Sequence, residues 1–220
     1  MSNSINSQSL PIKINRDKNI ATFDNFFRII DEARQKKDYG IMRYTIVIPK
    51  FGYGVPDKES ICELTNIIKE ENIIHILSIG SGVGFVECYI NILLGKNTIT
   101  ATDPLLSHGL EERIINRCME IEKLDHNGAI EKYGSSIDGI LFNWPSMDVW
   151  FGETVREAVR LRIKYIIYIG ETCCGPCTGD EETLEYIDKH YDTIKEIYYT
   201  PFSNLNDYIT IYKIKNEDYL

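Results

Sequence analysis

The chain has 220 residues, 43% of them hydrophobic, which is enough for one substantial core and short of the size at which chains usually split into several domains. Its formal charge of -9 and pI near 5.0 give it no broad positive field, so binding of duplex nucleic acid as a main task is disfavoured. No apolar run approaches the roughly 20 residues that span a bilayer, and the opening MSNSINSQSL has neither the basic patch nor the apolar core of a secretory signal; a soluble cytoplasmic protein is the expectation.

In chain order, residues 1 to about 18 are rich in Ser, Asn and Lys without periodicity and read as a leader. Phe23, Phe26, Phe27 and Ile30 then recur at helical spacing, which predicts an amphipathic helix over about 22–37. We therefore expect a leader and helix over 1–40 and an α/β domain over 41–220. "RYTIVIP" (43–49) is β-branched and ends at Pro49, which predicts a short strand. From there helix-like and strand-like segments alternate: helix 57–71, a buried strand in "IIHILSIG", helix 83–94, strand 98–103 and helix 107–117. A weaker strand at 119–125 follows, then a short helix at 129–133, strand 137–144, helix 153–162, strand 165–171 and helix 180–190. Such alternation predicts parallel strands joined by helical crossovers, an open α/β sheet with helices on both faces. The ending departs from it. Segments 193–201 and 207–215 are both strand-like but only five residues apart, too few for a crossover, so they must pair as an antiparallel hairpin.

Between the buried strand and its helix the sequence reads "ILSIGSGVGF", with Gly80, Gly82 and Gly84 spaced two apart. Three glycines there let the backbone and the free N–H groups of the helix start approach a ligand, and the carboxyl ends of parallel strands are where ligands sit. The next strand ends in Asp103, placed to accept hydrogen bonds from ribose hydroxyls. A nucleoside-containing cofactor is the expectation. Nicotinamide enzymes carry G-x-G-x-x-G, whereas here the spacing is G-S-G-V-G, followed by Phe85 and Val86.

On these residues the chain resembles the class I S-adenosylmethionine-dependent methyltransferases over roughly 57–215. Their first motif matches "LSIGSGVG", and the terminal hairpin is their usual difference from dinucleotide-binding sheets. The resemblance implies a seven-stranded, three-layer sheet in the order 3-2-1-4-5-7-6 and S-adenosylmethionine as cofactor. It places Gly80, Ser81, Gly82 and Gly84 at the cofactor's amino-acid end, Asp103 at the ribose and Asp125 at the adenine; Asp125 can equally be a helix N-cap. Ser78 departs from the pattern, standing where many members have an acid.

Strand four ends "LFNWPSMD". Methyltransferases acting on amino groups of nucleobases resemble this with Asn or Asp, Pro, Pro and an aromatic residue; Asn143 and Pro145 keep the first and third elements, while Trp144 and Ser146 depart. Pro145 can also simply end the strand, with Trp144 packing. A looser similarity, through "NWPS", "YIGE", "CTGDEE" and "IPKFGYGVPDKESI", is to an uncharacterised eukaryotic and large-virus branch with a Trp-Pro element after strand four. From their place at the strand ends we expect Asn143 and the Trp144–Pro145 backbone to orient the acceptor and Glu171 to close the pocket, with Glu171, Asp148 and His108 as candidate bases should the acceptor need one. The acceptor is left open: a small molecule, a sugar, a protein side chain or a nucleotide is compatible.

Other features read more simply. Cys62, Cys88 and Cys118 lie singly among apolar residues as small hydrophobes. Cys173, Cys174 and Cys177 cluster in one loop without a second Cys or His pair nearby, which suits a thiol-bearing lid better than zinc, and no metal is expected. Thr178 or Asp180 is placed to cap the helix that follows. The basic run "VREAVRLRIK" reads as a solvated face, a phosphate contact being the alternative. Heavy use of Ile, Asn, Lys and Tyr suits an AT-rich genome such as that of a large DNA virus or a protist, with the host cytoplasm as location if viral. Two other functions fit the same loop and acid: a nicotinamide-dependent oxidoreductase, and a methyltransferase fold that has become a non-catalytic binding subunit.

Overall fold

A computed structural model describes residues 16–35, 43–104, 118–172, 178–199 and 206–216. Its helices are α1 (Arg16–Gln35), a short α2 (Ile48–Phe51), α3 (Lys58–Glu70), α4 (Phe85–Leu94), α5 (His126–Tyr133), α6 (Val149–Arg160) and α7 (Glu181–His190). The strands are β1 (Ile76–Ile79), β2 (Ile99–Thr102), β3 (Ile121–Glu122), β4 (Gly139–Asn143), β5 (Tyr165–Glu171), β6 (Tyr191–Tyr198) and β7 (Asp207–Ile214). They form one sheet in the order β3-β2-β1-β4-β5-β7-β6. The first five pair in parallel, and β7 runs antiparallel to both β5 and β6. The expected sheet and its closing hairpin are therefore present.

Strand residues alternate between the two faces, and both faces are apolar because helices cover both. Ile76, Leu141, Ile167 and Ile169 join one core with α1, α3 and α4; Leu77, Ile140, Phe142, Ile166 and Tyr168 join a second with α5, α6 and α7. Each such side chain, fully buried, contributes about 1.5–3 kcal/mol. Helix α1 adds an aromatic layer to the first core: Phe23 stacks on Tyr89 with centroids 4.9 Å apart, and Phe27 meets Phe85 edge-on at 5.5 Å. The outer strand β6 is mostly solvated and carries Lys195, paired with Glu63 at 2.8 Å, a charge that discourages further strand addition.

Several expectations are corrected. Residues 43–47 form a π-helical turn and 48–51 a helix, not a strand. Val47, Ile48 and Phe51 are buried as a helical stripe, with Phe51 edge-on to Phe85 at 5.0 Å, so packing overrides the β preference of the branched residues. Strand β3 shrinks to two residues because Asp125 already caps α5, accepting from the Gly128 N–H at 2.8 Å. Helix α6 starts at Val149, four residues earlier than its pattern indicates. The cap of α7 is Asp180, which accepts from the Thr183 N–H at 2.8 Å; Thr178 is engaged elsewhere. Arg156 and Arg160 on α6 are exposed and paired with Glu182 and Glu157. The helix expected at 107–117, His108, and Cys173, Cys174 and Cys177 lie outside the described residues. Among those described, no helix is long and apolar enough to cross a membrane, and no group of three His, Cys, Asp or Glu could hold a metal ion.

Candidate functional site

The loop after β1 takes three left-handed glycines, Gly80, Gly82 and Gly84, at φ of 71°, 59° and 68°. Only glycine adopts that conformation without strain. The Gly80 and Ser81 N–H groups donate to the Thr102 carbonyl at 2.9 and 3.1 Å, so β2 holds the loop's first half. Asp103, buried at the end of β2, holds its middle by accepting from the Gly82 N–H at 2.9 Å. A Cβ on Gly82 would meet no described atom within 4 Å, and the buried Ser81 hydroxyl has no hydrogen-bond partner among the described residues.

Register places this loop beside the end of β4. Ser78 is level with Leu141, two residues before Asn143, so the loop and the end of β4 leave the sheet at the same edge. The Asn143 Oδ1 is enclosed and without a hydrogen-bond partner among the described residues, with Gly54 packed so closely that a Cβ there would lie 2.0 Å from it. Trp144 turns the chain at φ 56°. Its N–H donates to the Ile169 carbonyl at 2.8 Å, and its Nε1 donates to Asp207 Oδ1 at 3.1 Å. Tyr53 stacks on its indole with centroids 5.6 Å apart and planes 9° from parallel. Pro145 accepts from the Gly179 N–H at 2.9 Å, tying this turn to the segment that leads into α7.

Glu171 ends β5, is buried, and accepts from the Asn206 N–H at 3.1 Å. It stands opposite Asp207 in the β5–β7 register. Its backbone is held by Thr178, whose Oγ1 accepts from the Glu171 N–H at 2.9 Å, and by Tyr168, whose hydroxyl donates to the Glu171 and Thr178 carbonyls at 3.1 and 3.0 Å. Asp125 is exposed and caps α5, while Asp148 is exposed, precedes α6 and accepts from the Ser146 hydroxyl at 2.7 Å.

Gly80, Ser81, Gly82, Gly84 and Asp103 thus meet at one loop, and Asn143, Trp144, Pro145 and Glu171 line the adjoining strand ends. The sequence analysis did not single out Trp150, whose ring lies 3.3 Å from where a Cβ on Gly80 would stand. The Trp150 Nε1 donates to Ser146 Oγ at 2.8 Å, fixing the ring. Asp207, as the Trp144 anchor, was also missed; a tryptophan just past strand four was the available signal for both. Glu87, in the first turn of α4, is fully buried, and burial pushes its carboxyl up to about 7, against the smaller opposing effects of its own backbone N–H and of Ser78.

The glycine loop, the strand-end acid and a sheet closed by an antiparallel hairpin define a Rossmann-like α/β protein. Solved structures share that fold. An uncharacterised protein from Listeria monocytogenes serotype 4b matches 73% of this chain and 68% of its own, at 13% identity and a TM-score of 0.51. Magnesium protoporphyrin IX methyltransferase from Synechocystis PCC 6803, with bound SAM, matches 86% of this chain and 97% of its own, at 10% identity and a TM-score of 0.49. The Bacillus subtilis M1A22 tRNA methyltransferase matches 73% and 68%, at 12% identity and a TM-score of 0.49. At these identities the likeness concerns the fold. No family model and no curated protein matches the chain.

Proposed function

We propose that the protein is an S-adenosylmethionine-dependent methyltransferase. The observation that carries this reading is the clasp of the Gly82 N–H by Asp103, in a sheet ending in an antiparallel hairpin. The residues fit the cofactor. Among the described residues, loop 80–84 has open space at Gly82 and a hydroxyl at Ser81 without a hydrogen-bond partner, for the cofactor's amino-acid end. A carboxylate has about four acceptor positions, so Asp103 can keep Gly82 and still take ribose hydroxyls. The Trp150 ring flanks the loop at Gly80, and Asp125, at the start of α5, is the residue expected to reach an adenine. When bound, the cofactor supplies an electrophilic methyl group on a sulfonium.

The acceptor side belongs to Asn143. Its side-chain amide, half-buried at the strand end, accepts from an N–H or O–H on the acceptor once its oxygen turns out from under Gly54, and so turns the nucleophile's lone pair toward the loop. Alignment of that kind supplies much of the acceleration of a displacement reaction. Trp144 and Pro145 hold Asn143 through Ile169, Asp207 and Gly179, and Glu171 closes the far side.

Calorimetric titration tests the reading. S-adenosylmethionine and S-adenosylhomocysteine should both bind, and Asp103→Ala should weaken both. Absence of binding with either compound, together with binding of NADH, moves the protein to the oxidoreductases; absence of all three leaves the non-catalytic module.

A further inference from the structure

In many of the methyltransferases this chain resembles, the motif strand carries an acid where Ser78 stands. The structure returns a carboxylate to that place from another element. Ser78, with no exposed surface, donates its hydroxyl to Glu87 Oε1 at 2.7 Å. The two residues are nine positions apart, and the glycine loop is the span between them. Gly84 precedes α4 without a side-chain cap, and Glu87, third residue of the helix, turns back toward its own N–H. A helix N-terminus favours a negative group there. The other oxygen, Oε2, is enclosed and has no hydrogen-bond partner among the described residues.

We propose that Glu87 is the carboxyl on which the glycine loop rests, a positioning residue that gives up its proton when a ligand binds over that loop with the ammonium of its zwitterionic amino-acid head group toward Glu87. The proposal rests on the cofactor reading above. Nothing around Glu87 among the described residues supplies a positive charge. From β2 the neighbour is Asp103, a like charge. On α4 and ahead of β3 stand Cys88 and Cys118, two thiols that burial pushes up to about 12 and so keeps neutral. Helix α1 presents phenylalanines to α4, and Asp24 and Glu59 act on Tyr89, about 200° around the helix. An ionised carboxylate so enclosed is costly, so the free protein holds the neutral acid through much of the range below about 7. A ligand ammonium group is the counter-charge that the described residues around Glu87 do not supply. On its arrival the carboxyl O–H bond breaks, the proton passes to buffer, and the carboxylate remains on the Ser78 hydroxyl.

The test is calorimetric titration of the full chain in two buffers of different ionisation enthalpy. The ligands are S-adenosylhomocysteine and 5′-methylthioadenosine, which keeps the nucleoside and lacks the amino-acid end. A tenfold coupling between ligand and ionised Glu87 corresponds to release of roughly 0.4 proton per ligand at about pH 6. That release is expected for S-adenosylhomocysteine and not for 5′-methylthioadenosine, which separates Glu87 from any titration of Asp103 at the ribose. Glu87→Gln should abolish it and weaken S-adenosylhomocysteine about tenfold at about pH 8, the same coupling read as affinity. The double exchange Ser78→Asp with Glu87→Gln, which returns the acid to the strand, should restore the affinity. Equal enthalpies for wild type in both buffers overturn the proposal, as does undiminished release by Glu87→Gln. Should that variant fail to fold, the wild-type contrast between the two ligands decides alone. Wild type that binds neither ligand overturns the methyltransferase reading and this proposal together, whereas binding without proton release overturns the proposal only.

Discussion

Removal of one hydroxyl, by Tyr168→Phe, tests how the segment after β5 is fastened. The hydroxyl is fully buried, donates to the Glu171 and Thr178 carbonyls at 3.1 and 3.0 Å, and lies 2.8 Å from Thr178 Oγ1. Phenylalanine fills the same space without that oxygen. Thr178 Oγ1 keeps the Glu171 N–H at 2.9 Å and still donates to the Glu171 carbonyl at 3.4 Å, so the Thr178 carbonyl is the acceptor left short in a dry interior. Leaving buried acceptors short costs about 1–3 kcal/mol. For a chain of this size each kcal/mol is worth about 2–4 °C, so a loss of about 2 kcal/mol lowers Tm by about 4–8 °C. Thermal unfolding followed by circular dichroism reads this directly. Thr178→Val and the double variant complete a cycle whose coupling should be at least about 0.5 kcal/mol, as for residues in one network. Affinity for S-adenosylhomocysteine should stay within about twofold, because the cofactor side is held by β1 and β2. A Tm within about 1 °C of wild type would refute the clasp; a tenfold loss of affinity would refute the division of the site into two sides.

Four further outcomes are open to measurement. Asn143→Ala should leave S-adenosylhomocysteine binding within about twofold and, once an acceptor is found, lower turnover by on the order of 100-fold; equal losses in both would sink the assignment. Gly84→Ala should lower Tm more than Gly82→Ala, since both are left-handed but a Cβ on Gly84 also meets Met119 Cγ at 3.0 Å. Trp144→Phe leaves Trp150 as the sole tryptophan, and its fluorescence should change on titration with S-adenosylhomocysteine; an unchanged spectrum despite calorimetric binding removes Trp150 from the pocket. Glu87 ionises near 4.5 when unfolded and about 7 when folded. Its contribution to stability is full below about 4.5 and is lost as pH rises through about 7, a swing of about 3 kcal/mol. Glu87→Gln lacks that swing, so denaturant unfolding should show the variant gaining on wild type between about pH 5 and pH 8.

What the sequence discloses is what short stretches decide. The apolar run before Gly80 can only be a buried strand, and five residues between the last two strand-like segments can only be a hairpin. Those two facts carry most of the sheet order. The misread parts depend on partners far along the chain. Residues 43–51 look like a strand until Phe26 and Phe85 are known to receive Phe51. Trp144 looks like packing until Asp207, 63 residues on, takes its Nε1. Glu87 is the plainest case. In sequence it is an ordinary acid in the first turn of a helix, and only the turn of the glycine loop brings it under Ser78.

The central placing of β7 sets an order of assembly. β7 is translated after the other six strands yet lies between β5 and β6, so the free edge of β5 stays open during synthesis until residues 207–214 have left the ribosome. The same segment brings Asp207 to Trp144. The glycine loop, Asp103 and their strands are translated well before that, so the ends of β1 and β2 precede the Trp144–Asp207 contact in the order of synthesis.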